Sequence, residues 1–168
     1  MTPTSTSTPT ATPAVTLRRA EALVGLPYVE GSFDCMHLAV LAQRELFGRV
    51  VAWPDARRHP AGRRTMAAAI ARHRETVADP VARPAAGDAV LFLQRVHGEV
   101  QWHVGTLLTD AAGCLWVLHA SAAAGASLLE TLADCVAAGF AVEGFYRWRL
   151  AAEGTESAPA GADGAGDE

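Results

Sequence analysis

The run YVEGSFDCMHLAVLAQRELF, residues 28–47, decides how the rest of the chain is read. Asp34 is a residue type that caps helix N-termini. Behind it, Cys35, Leu38, Ala39, Ala42 and Leu46 fall on one helical face, and Gly48 supplies a stop. Cys35 is therefore expected in the first turn of a helix. Unpaired backbone N–H groups and the positive end of the helix dipole there favour thiolate over thiol. Thiolate is the nucleophilic form. The plainer alternative is a small buried core residue, which describes most lone cysteines.

Working outward, residues 15–26 predict a short helix carrying Leu17, Ala20, Leu23 and Val24, ended by Gly25 and Pro27. Residues 28–33 are a loop into the Cys35 helix. Residues 49–64 read as irregular, with Trp53-Pro54 and Pro60-Ala61-Gly62, and residues 65–77 as helical through alanine content and spacing. From residue 85 the texture changes. Gly87-Asp88 is a turn before the apolar strand Ala89–Leu93. Val100–Leu108 is a second strand, Asp110–Gly113 a hairpin turn and Cys114–His119 the returning strand. Residues 128–139 are mixed and partly helical, and Phe140–Leu150 is a last strand. Helices first and short antiparallel strands after predict an α+β domain.

Of 168 residues, the two ends look unlike the middle. Residues 1–14 hold only Met, Thr, Ser, Pro and Ala, and residues 152–168 are small, polar or acidic. Neither offers enough apolar surface to offset ordering entropy. Residues 15–151 are thus the expected domain, between a Thr/Ser/Pro/Ala tail and an acidic one. The start lacks the basic residues and apolar run of a secretory signal, so export by that route is not expected.

The formal charge of −4 comes from the C-terminal tail, where Glu153, Glu156, Asp163, Asp167 and Glu168 lie. The body is close to neutral, without the basic excess of a nucleic-acid binder. Every basic residue is arginine. Arg57, Arg58, Arg63, Arg64, Arg72 and Arg74 form a locally basic stretch, a solvated face or a patch for an anionic polymer. No apolar run approaches the roughly 18 residues of a membrane span. Cys35, Cys114 and Cys135 make no CxxC pair, so no structural zinc site is expected. Cys114 and Cys135 read as buried small hydrophobes.

Two histidines carry the chemistry further. His103 opens WHVGTLL near the start of one strand, and His119 ends LWVLHAS at the close of the next. Antiparallel pairing puts the start of one beside the end of the other. One imidazole can take the thiol proton, and a polar group on its far nitrogen can fix its tautomer. Cys35, His103 and His119 can fill those roles. Without a third ligand of suitable spacing, a metal is not expected. His37, His59, His73 and His97 read as ordinary surface or helix residues.

Taken together, Tyr28 and Gly31 ahead of Asp34-Cys35, then Gly87-Asp88-Ala89-Val90-Leu91-Phe92, His103-Val104-Gly105 and Leu118-His119-Ala120-Ser121 resemble the NlpC/p60 family of papain-like cysteine peptidases. The resemblance covers roughly residues 17–149. It implies a nucleophile helix packed on a five- to six-stranded antiparallel sheet. It implies Cys35 as nucleophile, His103 as general base and His119 as its orienter, with Tyr28, Asp34 and Gly105 on the substrate and oxyanion side, and no cofactor. The implied partner is the peptide stem of bacterial peptidoglycan, and a short loop at residues 29–33 is similar to phage-tail members. A scaffold of the same fold that no longer cuts and an acyltransferase or contact-delivered amidase are the alternatives. One departure stands out: the usual small pair after the cysteine is Met36-His37 here.

Overall fold

In the computed structural model, residues 13–52, 70, 72–96 and 98–151 are described. The stretches read as tails lie outside them except for residues 13 and 14. So do His59, His97 and the arginines at 57, 58, 63 and 64. The elements in chain order are helices α1 (Pro13–Glu21) and α2 (Cys35–Phe47), a helical stretch α3 (residues 72–77), strands β1 (Ala78–Pro80), β2 (Ala89–Val96), β3 (Glu99–Thr109), β4 (Leu115–Ser121) and β5 (Ala126–Thr131), helix α4 (Leu132–Ala137) and strand β6 (Ala141–Trp148). This is an α+β protein.

One six-stranded sheet, in the order β1-β6-β2-β3-β4-β5, is antiparallel throughout. Side chains alternate between its two faces. One face meets α1 and α2: Cys35, Met36 and Ala39 pack on Leu91, Val104, Tyr146 and Trp148, while Leu38, Ala42 and Leu46 pack on Leu108, Leu118 and Ala120. The other face carries Val90, Phe92, Leu107 and Val117 under Cys135 of α4, with Phe140 and Phe145 beside them. No described helix is long and apolar enough to cross a membrane.

Helix α2 begins and ends as its sequence dictates. Asp34 is extended and its Oδ1 accepts from the N–H groups of Met36 and His37 at 3.0 and 3.3 Å. Gly48 closes the helix in the left-handed conformation, φ 63°, and its N–H donates to Arg44. His37, the departure from the usual small residue, stands at the third helical position. Its Nδ1 lies 3.4 Å from the Asp34 N–H nitrogen and 3.0 Å from Asp34 Oδ1, completing a capping box.

Several elements differ in extent from the sequence reading, β2 running on to Val96 and β6 spanning Ala141–Trp148 among them. Helix α1 starts two residues earlier, at Pro13, and stops at Glu21, because residues 22–24 turn more tightly, each N–H donating three residues back. Residues 126–131 are a strand rather than mixed structure. Cys114, expected in a strand and buried, is exposed in the β3–β4 turn. The Asp110 carboxylate takes the N–H groups of Ala112 and Cys114, both at 2.9 Å, and holds Cys114 outside the ladder. Cys135 is buried on α4, as expected.

The Gly87-Asp88 motif is architectural. Asp88, 2% exposed, receives the Ala85 N–H and a two-point pairing from Arg147, at 3.0 and 2.9 Å. That pairing fastens the entry of β2 to β6.

Candidate active site

Strands β3 and β4 are paired only from Thr106↔Leu118 to Thr109↔Leu115. Beyond Thr106, β3 continues with β2 while β4 continues with β5. The sheet therefore splits, and a cavity of about 470 Å³ opens there. Tyr28, Cys35, His103, His119, Glu130 and Phe140 are on its wall, with Gln94, Gln101 and Trp102 further along.

The split explains how the site can assemble. By alternation, His103 and His119 belong to the face opposite α2, whereas Cys35 comes from the α2 side with Val104. In a continuous sheet they would be separated by backbone. Where the strands part, the α2 N-terminus enters from one side and the imidazoles from the other, and all three line one cavity.

His103 Nε2 lies 2.9 Å from His119 Nδ1, and His119 Nε2 lies 2.9 Å from Glu130 Oε2. The two rings meet edge to face, with centroids 5.0 Å apart. Phe92 stacks on His103 and Phe140 is tilted against it, at 6.2 and 5.2 Å between centroids. His119 is 1% exposed. An ionised Glu130 can only accept, so His119 carries its proton on Nε2 and accepts at Nδ1 from His103 Nε2–H. His103 Nδ1 is then the ring nitrogen with a free lone pair. Glu130 was missed in the sequence. The signal lies in the β4–β5 register: Glu130 pairs with Val117 and His119 with Leu128, so Glu130 and His119 are diagonal neighbours on one face.

Electrostatics correct one expectation. Burial, and then the Asp34 carboxylate, push the Cys35 thiol up to about 12, although the backbone N–H groups of Val104, Met36 and Cys35 itself act the other way. The first-turn position does not yield a resting thiolate, because 7% exposure and the capping carboxylate outweigh the helix end. Burial, and then His119, bring His103 down to about 3. Burial also lowers His119, against the pull of Glu130. At rest both the Cys35 thiol and the His103 imidazole are neutral, and both line the one cavity. Among the described residues no hydrogen bond joins Cys35 to His103.

The remaining expected site residues divide. Tyr28 lines the cavity. Asp34 is committed to the helix cap and Gly105 is buried in mid-strand, and neither is on the cavity wall. A Cβ on Gly105 would stand 2.4 Å from Val117 Cγ1, so its small size serves strand packing. The sequence offered His103 and His119 no third metal ligand. In the fold, His119, Glu130 and Cys135 bring an N, an O and an S donor within 4.8 Å of one another. Cys135 is pushed up to about 11 by burial first, then by Glu130 and Asp134.

The chain matches no protein-family model, no curated protein and no solved structure.

Proposed function

We propose that this chain is a cysteine peptidase of the NlpC/p60 type, hydrolysing an amide bond in the peptide stem of bacterial peptidoglycan. The observation that carries this reading is the His103–His119–Glu130 relay lining the same cavity as a thiol at a capped helix start. A carboxylate–imidazole–imidazole chain with a buried middle member, ending in one free lone pair, is what a general base needs. The motif order along the chain, from Tyr28 to His119, supports the family and hence the substrate class.

The proposed chemistry follows from the neutral resting pair. With substrate bound, the Cys35 sulfur attacks the amide carbonyl as its proton passes to His103 Nδ1. The resulting imidazolium is stabilised through His119 by the Glu130 charge. Met36 and His37 have given their N–H groups to Asp34, so the Cys35 N–H is the first-turn amide left for the oxyanion, with Tyr28 nearby on the cavity wall. His103 returns the proton to the leaving amine as the C–N bond breaks, leaving a thioester on Cys35. Water then attacks the thioester, its proton passes by His103 to the departing sulfur, and the thiol is restored.

The test is digestion of purified muropeptides with mass spectrometry of the products. The reading expects one amide bond of the stem to be cut, with a gain of one water. Intact stem peptides after prolonged incubation contradict it.

A further inference from the structure

We propose that His119, Glu130 and Cys135 form a zinc-binding site on the sheet face opposite α2. The three residues come from β4, β5 and α4. Helix α4 follows β5 without a loop, and Thr131 caps it by accepting from the Asp134 N–H at 3.1 Å, which turns Cys135 back over Glu130. One donor atom from each lies within 4.8 Å of the others. His119 and Cys135 are 1% and 0% exposed, so two of the three donors are held by packing. His119 Nε2 is the ring nitrogen that already faces the Glu130 carboxylate, at 2.9 Å.

Imidazole nitrogen, carboxylate oxygen and thiolate sulfur together suit a borderline cation such as zinc. Zinc bonds of about 2.0–2.3 Å require tetrahedral donors to sit roughly 3.5 Å apart. The cluster reaches that by closing by about 1 Å at its widest separation. Glu130 and His119 also line the cavity, which leaves the fourth position open towards it. Binding releases one proton, from the Cys135 thiol; the proton displaced from His119 Nε2 stays within the pair of imidazoles.

A consequence for catalysis rests on the peptidase reading. Once zinc holds His119 Nε2, the single proton of the neutral ring sits on Nδ1, taken along the hydrogen bond from His103 Nε2, and Nδ1 becomes a donor to His103 Nε2. His103 must then carry its own proton on Nδ1, the atom that should receive the thiol proton. Zinc at this site therefore reverses the hydrogen-bond direction along the relay and switches off the base without touching Cys35.

The test titrates the full chain with cobalt(II), and then zinc. Cobalt is expected to give a thiolate charge-transfer band that zinc abolishes. The band should persist in Cys35→Ala and Cys114→Ala and vanish in Cys135→Ala. Glu130→Gln should weaken binding by more than the roughly 10–100-fold that loss of an outer-shell partner costs. That variant decides the matter should Cys135→Ala fail to fold by circular dichroism. No thiolate band, or a band lost with Cys35 instead of Cys135, overturns the site and leaves the peptidase reading intact. Zinc should inhibit muropeptide hydrolysis by the wild type and spare Cys135→Ala. Zinc bound with undiminished hydrolysis overturns the coupling to the base. A band with no hydrolysis under any condition upholds the site and sinks the peptidase reading.

Discussion

His119 hands its two ring nitrogens to different partners: Nδ1 to His103 at 2.9 Å and Nε2 to Glu130 at 2.9 Å. A side chain in that position orients and polarises; it does not meet the thiol. His103→Ala should lower kcat by roughly 10²–10⁴-fold, the usual worth of a general base, and approach Cys35→Ala. His119→Asn keeps a hydrogen-bonding group near His103 and should retain measurable activity, whereas His119→Ala should lose more. Rates on one defined muropeptide, with folding checked by circular dichroism, separate these. Full activity in His103→Ala would reassign the base.

The Cys35 thiol, raised to about 12, should be slow to alkylate in the free protein. Iodoacetamide at neutral pH should modify the exposed Cys114 first. Asp34→Asn retains a capping side chain and leaves the burial that chiefly raises Cys35, while removing the charge that adds to it. Its Cys35 should therefore alkylate faster than that of the wild type. Peptide mapping of the time course reads both rates. Preferential labelling of Cys35 in the free wild type would mean that a thiolate already rests there.

Acid should weaken the fold through the same histidines. The ordinary value of 6.5 falls to about 3 for His103, so between those limits the unfolded chain binds a proton that the folded chain refuses. The stabilising contribution is complete above 6.5 and is lost as pH drops towards 3. His119 shifts the same way. Urea midpoints should decline across this window, and less steeply in His103→Gln. An identical slope in that variant would place the acid sensitivity elsewhere.

Gly105→Ala tests why glycine follows His103-Val104. The added methyl would meet Val117 Cγ1 at 2.4 Å and His119 Cβ at 3.4 Å. Overpacking of this kind costs about 1–3 kcal/mol. Val117→Ala removes the clashing atom, so the double variant should be less destabilised than the sum of the singles. Additive losses in urea denaturation would contradict the steric account.

What could be read in the sequence was local. The Asp34-Cys35 helix start, the Gly48 stop and the placement of His103 and His119 on successive strands follow from spacing and hairpin geometry. What could not be read depends on register and burial. Glu130 joins the relay only because β4 and β5 pair Val117 with it, and Cys135 reaches it only after α4 turns back. The short edge strand β1, containing Pro80, exists because β6 pairs with it from far along the chain. The protonation of Cys35 was misjudged for a related reason: the helix end is visible in sequence, but the burial that overrides it is not. Cys114 followed apolar periodicity on paper, while Asp110 holds it in the turn.

The central claim is that Cys35 carries the acyl group. Its most direct test is intact-protein mass spectrometry during turnover of a stem-peptide substrate, with rapid acid quenching. The account predicts a mass increment equal to the acyl half of the substrate, mapped to the peptide containing Cys35 and absent in Cys35→Ala. Hydrolysis that proceeds in Cys35→Ala, or an adduct on any other residue, would contradict it.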